Sequence, residues 1–253
     1  MRKFIKECHI MFKRQNALML QSPDAIVMAV MIPALIMLLF VSVFGGAMDV
    51  GSYNYVNFIT FGVIMQASMQ SSAITSINVN KDMNTGMIER FRSMPIAKIS
   101  FLIGHVVAGT LRNMLSVVLM LGVAFIMGFR PTAGLVEWAY ILGILLLVMF
   151  MLAWLSVFVG VAVKSGEAAS GFGSLVAILA FLSSGFAPID TLASGLQPFA
   201  RHQPLTHIID TLRGLSMGGD IGNTWALMLV WCVGLVAFFT VATLATYLKK
   251  ITV

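Results

Sequence analysis

Between two long apolar runs the chain reads NKDMNTGMIERFRSMPIAK, from Asn80 to Lys98. Six charged residues (Lys81, Asp82, Glu89, Arg90, Arg92 and Lys98) fall within these nineteen positions, in a chain that is 59% hydrophobic and 10% charged. Such a concentration marks a segment held in water between two that are not. The nature of the flanks therefore decides the fold.

Upstream lies Val56 to Ile77 and downstream Phe101 to Met127, each within or beyond the roughly 17 to 25 apolar residues that cross a bilayer. Four more runs pass the same test: Ala25 to Ala47, Trp138 to Val163, Ala168 to Ala187, and Trp225 to Leu248. A mean hydropathy of +0.94 is more apolar surface than a water-soluble fold of this size can hide. Backbone groups in hydrocarbon must be satisfied within the segment, so the runs read as helices, and they lack the alternation of barrel strands. The expectation is an all-α membrane protein: one transmembrane domain over residues 1–253 with six transmembrane helices. The first run, about 23 residues, exceeds the roughly 7 to 15 of a signal h-region and reads as an uncleaved anchor.

Basic residues set the orientation. With a cytoplasmic amino terminus, Arg2, Lys3, Lys6, Lys13, Arg14, Lys81, Arg90, Arg92, Lys98, Lys164, Lys249 and Lys250 lie inside, against Arg130, Arg201 and Arg213 outside. That asymmetry places both termini and the charged island in the cytoplasm of a multi-pass plasma-membrane protein. The net charge of +6 comes from this bias, so it speaks for a membrane surface and against nucleic acid as partner.

Ahead of the first span, Phe4, Ile5, Cys8, Met11, Phe12, Leu18 and Met19 recur at helical spacing while the basic residues fall mostly elsewhere. This predicts an interfacial amphipathic helix among membrane lipids, broken by Ser22 and Pro23. A basic tail kept only for orientation is the plainer reading. Cys8 and Cys232 lie too far apart to bridge.

The spans carry polar groups. Gln66, Ser68, Gln70, Ser71, Ser72, Thr75 and Ser76 crowd the second, and they suit helix-to-helix bonding or the wall of a polar path equally well. In the third, His105, Arg112 and Ser116 share one face. An arginine at mid-span must face protein or water, as a structural partner or as a substrate contact. Small residues of the fifth span (Ala168, Ala169, Ser170, Gly171, Gly173, Ser174, Ser183, Ser184, Gly185) permit close helix approach, with Phe172, Phe181 and Phe186 interleaved.

Beyond the fifth span, Pro188, Pro198 and Pro204 divide Ala187 to Asp220 into two short amphipathic pieces. One starts near Asp190; the other is expected to be capped by Thr206 and closed by Gly214. Both are too short to span, which suits re-entrant helices. His202, His207 and Asp210 lack the further ligands of a zinc site, and no metal is assigned. No G-x-x-x-x-G-K-[ST] phosphate loop, G-x-S-x-G elbow or H-E-x-x-H pair occurs. All carboxylates lie outside or at the edges of the spans, which disfavours a proton- or sodium-driven carrier.

The stretch DMNTGMIERFRSMPIAKISFLIGHV, from Asp82 to Val106, resembles the loop joining the second and third spans of type-2 ABC exporter permeases, especially the daunorubicin-resistance-like branch. Ser22 to Ala47 and HQPLTHIIDTLRGL from His202 to Leu215 are similar to that branch too. The R-x-R-S-x-P core (Arg90, Arg92, Ser93, Pro95) and the turn Gln203 to Thr206 are its more specific marks; many relatives have asparagine where this chain has Gln203. The resemblance implies an interfacial helix, a cytoplasmic coupling helix between the second and third spans, and re-entrant helices before the sixth.

It also implies partners: two copies of a separate ABC ATPase that binds Mg-ATP, and a second permease subunit, identical or not. Mapped onto this sequence, ATPase coupling falls to Asp82, Gly86, Met87, Ile88, Glu89, Arg90, Phe91 and Arg92, with Lys164 and Glu167 as a second contact. Met87, Ile88 and Phe91 suit a groove while Glu89, Arg90 and Arg92 make oriented ionic contacts. The translocation path is expected to include Gln66, Gln70, Ser71, Thr75, Arg112, Phe172 and Phe181. The expected function is export of an amphipathic or lipid-like compound, with no catalytic residues in this chain. A gradient-driven carrier or channel, an intramembrane enzyme using His202, His207 and Asp210, and a subunit that exports or senses cell-envelope components are the alternatives.

Overall fold

The computed structural model describes residues 2–20, 23–48, 50, 54–85 and 98–252. Among the described residues the chain is helical without strands. In order the helices are α1 (Arg2–Leu20), α2 (Pro23–Phe44), α3 (Tyr55–Asn84), α4 (Lys98–Ile126), α5 (Leu135–Ala162), α6 (Gly166–Ile178), α7 (Gln197–His202), α8 (Pro204–Met217) and α9 (Thr224–Thr252). A 3-10 turn at Ile189–Thr191 precedes α7.

Among the described residues, three helices are long and apolar enough to cross a membrane: Ile99–Ile126, Leu135–Ala162 and Thr224–Lys250. Within α2, Val30–Phe44 is a further apolar stretch. α3 has 30 residues, about 45 Å of helix, but its glutamines, serines and threonines keep it below that apolar standard. It can carry them because neighbours cover it: α3 packs on α2, α4, α5 and α6. α5 is likewise central, with 67% of its apolar window buried, whereas α9 has 17% and lies at the periphery.

Small residues set the closest crossings. A Cβ on Gly62 of α3 would lie 2.3 Å from the Gly185 carbonyl oxygen, and one on Gly173 of α6 would lie 2.3 Å from Ala73 Cβ. Backbones approach this way where close packing, rather than hydrophobic exclusion, joins helices.

Two sequence expectations are corrected here. The fifth run does not continue as α-helix to Ala187: α6 ends at Ile178. From Leu179 to Ser183 the backbone closes i to i+3 turns, including Phe181 N to Ile178 O at 3.0 Å and Leu182 N to Leu179 O at 3.2 Å. Ser183 then diverts the chain, its Oγ accepting from Gly185 N at 3.1 Å. Thr206 and Gly214 do not bound α8 either. Pro204, whose missing N–H costs nothing at a first helical position, starts it after Gln203. It ends at Gly218, where φ is 68° and Gly219 N bonds Gly214 O at 3.0 Å.

Candidate functional site

The last turn of α3 is a polar junction. Asp82 is buried there, and Arg14 of α1 grips its carboxylate at two points, Nη1 to Oδ2 at 2.8 Å and Nη2 to Oδ1 at 3.0 Å. Gln15 Nε2 donates to Oδ2 at 3.1 Å, and His105 Nε2 of α4 lies 3.1 Å from the same oxygen. Gln15 Nε2 is also 3.1 Å from His105 Nε2, which closes a ring of contacts among α1, α3 and α4. Burial pushes the Asp82 carboxyl up, but hydrogen bonds from Arg14 and His105 and the charge beside it hold it well below the usual carboxylate range. The Arg14 guanidinium is pushed up by its bond to Asp82.

Packing backs the polar contacts. Met11 of α1 fits against Gly104, where an added Cβ would come within 2.5 Å of Met11 Cβ. Phe101 meets the His105 ring edge-on at 4.7 Å and stacks on Tyr247 of α9 at 5.8 Å.

The opposite side of the same helix end holds the α5–α6 turn. Asn80 Nδ2 donates to Gly160 O at 3.2 Å and Val163 O at 2.9 Å. Asn84 Nδ2 reaches Asn80 Oδ1 at 3.0 Å and Lys164 O at 3.4 Å. Lys164 and Glu167 are exposed on that turn, and Ser165 caps α6 by accepting from Ala168 N at 3.2 Å. Of the residues assigned to ATPase coupling, Asp82 is therefore turned inward, while Lys164 and Glu167 face outward. Gly86, Met87, Ile88, Glu89, Arg90, Phe91 and Arg92 lie outside the described residues.

Further along, the polar groups of α3 and α4 meet as a buried seam. Arg112 Nη1 donates to Thr75 Oγ1 at 3.0 Å, and Asn113 Nδ2 to Ser72 Oγ at 2.8 Å. Gln66 Oε1, Asn113 Oδ1 and Ser116 Oγ are buried without a partner among the described residues. Behind the seam, α3, α5 and α6 bound a crevice lined by Met69, Ser72, Ser76, Ser156, Phe172 and Val176, so Ser72 belongs to both.

The residues assigned to the path thus separate. Thr75 and Arg112 touch; Gln66 and Ser71 are buried and Gln70 half-buried on α3; Phe172 lines the crevice. Phe181 lies elsewhere, stacked on Phe186 at 4.5 Å beside Phe40.

A second clamp holds the Tyr55 end of α3. Arg213 of α8 donates from Nε to Phe58 O at 3.1 Å and from Nη2 to Ser184 O at 2.6 Å, pairs with Asp210 at 2.9 Å, and lies 3.8 Å over the Phe58 ring. Ser184 Oγ donates to Asp210 Oδ1 at 2.6 Å. Of the residues weighed for zinc, Asp210 is so engaged and His202 Nδ1 lies 2.8 Å from Pro198 O, whereas His207 Nδ1 is buried without a hydrogen-bond partner among the described residues. Among the described residues no three His, Cys, Asp or Glu side chains group as metal ligands.

Sequence reasoning missed Arg14, Gln15, Asn80 and Asn113 as members of these clusters. Asn113 was open to detection, since it stands three residues before Ser116 and eight after His105, on the face already identified. The pairing of Arg14 with Asp82 leaves no such trace.

The family model described as ABC-2 type transporter matches residues 6–217. A daunorubicin resistance ABC transporter permease protein of Streptomyces coeruleorubidus is 29% identical over 231 residues, covering 90% of this chain and 81% of that protein. A "Probable doxorubicin resistance ABC transporter permease protein" of Mycobacterium tuberculosis is 27% identical over 212 residues, covering 82% of this chain and 75% of that protein.

Proposed function

The chain belongs to the ABC-2 type transporter family, and on that premise we propose that it carries an amphipathic or lipid-like compound out of the cytoplasm or inner leaflet, driven by two copies of a separate ATPase subunit. Its relatives support a permease subunit of an ABC exporter. In this reading the chain has six spans, cytoplasmic termini and re-entrant α7 and α8, and works beside a second permease subunit, identical or not.

One observation supports the mechanism best: α3 is tied near its Asp82 end to both cytoplasmic elements. Asp82 joins it to α1 and α4, and Asn80 joins it to the α5–α6 turn that presents Lys164 and Glu167. In this reading the island between α3 and α4 docks in an ATPase groove. ATP binding draws two ATPases together, and each coupling element moves the helix ends rooted at Asp82 as one body. The seam and the α3–α5–α6 crevice supply the route between two permease subunits. α3 transmits the motion because the Arg213 clamp holds its far end.

Reconstitution of the purified chain with its cognate ATPase tests this. Stable association and cargo-stimulated ATP hydrolysis are expected; no physical association would sink the reading.

A further inference from the structure

Arg112 is the central residue of α4, about 20 Å of helix from either end. It is buried, carries five N–H donors, and is bonded to one neutral hydroxyl, Thr75 Oγ1 at 3.0 Å. Arg112 is in none of the ion pairs formed by Asp82, Asp190 and Asp210, and Asp82 is taken by Arg14, Gln15 and His105. Buried charges ordinarily have an opposite charge beside them, because desolvation is otherwise uncompensated. A second copy cannot supply one at this depth, since the acidic residues of the sequence lie outside or at the edges of the spans.

The surroundings offer what a polar headgroup needs. Ser116 Oγ, next on the same face, has no partner among the described residues, and neither has Asn113 Oδ1. Ser72, which accepts from Asn113, also lines the crevice between α3, α5 and α6.

We propose that Arg112 receives the acidic headgroup, a carboxylate or phosphate, of an apolar-tailed ligand, with Ser116 as second donor. This rests on the transport reading and narrows its cargo to anionic amphiphiles. The same chemistry is present in a membrane phospholipid, so the two sources must be told apart.

Dansyl-undecanoic acid and its methyl ester are titrated against the purified full chain in phosphatidylcholine nanodiscs. The acid should bind at least about tenfold tighter than the ester, Arg112→Gln should abolish that preference, and Arg112→Lys should retain part of it. Replacing a third of the phosphatidylcholine with phosphatidylglycerol separates the sources: unchanged acid binding assigns the site to cargo, and competition assigns it to a lipid phosphate. Equal binding of acid and ester by the wild-type chain overturns the proposal, as does a preference that survives Arg112→Gln. The wild-type comparison decides the matter even if that variant does not fold. No ATPase is present, so failure here is distinct from a failure of the subunits to associate.

Discussion

Arg14 and Asp82, 68 residues apart in the chain, meet in a two-point ion pair that fastens an amphipathic helix to the end of α3. Paired forks of this kind fix orientation as well as distance. The amino-terminal helix is therefore a structural part of the junction as well as a surface element.

Removing one member should cost more than removing both. Asp82→Ala leaves Arg14 and His105 facing each other without an acceptor, and about 3 kcal/mol of stability should be lost, the range for one-sided disruption of a buried pair. Arg14→Met with Asp82→Ala should recover part of that. Thermal unfolding in detergent across the four-member cycle measures the coupling; additive single effects would show that the pair does not act as a unit.

The pair should also shape acid stability. Asp82 has a depressed folded-state pKa, so its contribution is complete above the unfolded value near 4 and is lost as pH falls through the folded one. The melting-temperature advantage of wild type over Asp82→Asn should stay constant from about pH 7 to 5 and shrink below about pH 4. An advantage that disappeared near neutrality would assign the effect to another group.

Close backbone crossings give a different kind of test. Gly62→Ala must displace the Gly185 carbonyl, which lies 2.3 Å from the new Cβ, and should destabilise by about 1 to 3 kcal/mol through overpacking. Gly171→Ala, with nothing within 4 Å, is the matched control on α6 and should be neutral or slightly stabilising. Similar melting temperatures for the two variants would contradict the packing.

The contrast between these sites shows what a sequence carries. Helix positions were readable because hydropathy and length act locally, and the shared face of His105, Arg112 and Ser116 followed from the helical repeat alone. The early end of α6 was not. Residues 179–186 are apolar enough for a span, but Ser183 and Ser184 bond nearby backbone and Asp210, and hydropathy cannot distinguish such a turn from helix. Asp82 looked like a docking residue because charge in a greasy chain reads as surface; only the arrival of Arg14 from a distant helix turned it inward.

That inward turn would divide labour within the proposed coupling element. If Asp82 holds the lever and Glu89 and Arg90 engage the ATPase, substitutions at the two places should fail differently. Glu89→Ala with Arg90→Ala should leave melting temperature unchanged and weaken ATPase association by about tenfold, corresponding to about 1.4 kcal/mol. Asp82→Asn should leave association near wild type but lower the stimulation of ATP hydrolysis by cargo, because docking persists while its motion no longer reaches α1 and α4 together. Pull-down against salt and cargo-dependent ATPase rates, measured on both variants in parallel, separate the two. Equal loss of association in both would mean that Asp82 contacts the ATPase after all, and unchanged coupling in Asp82→Asn would remove the junction from the power stroke.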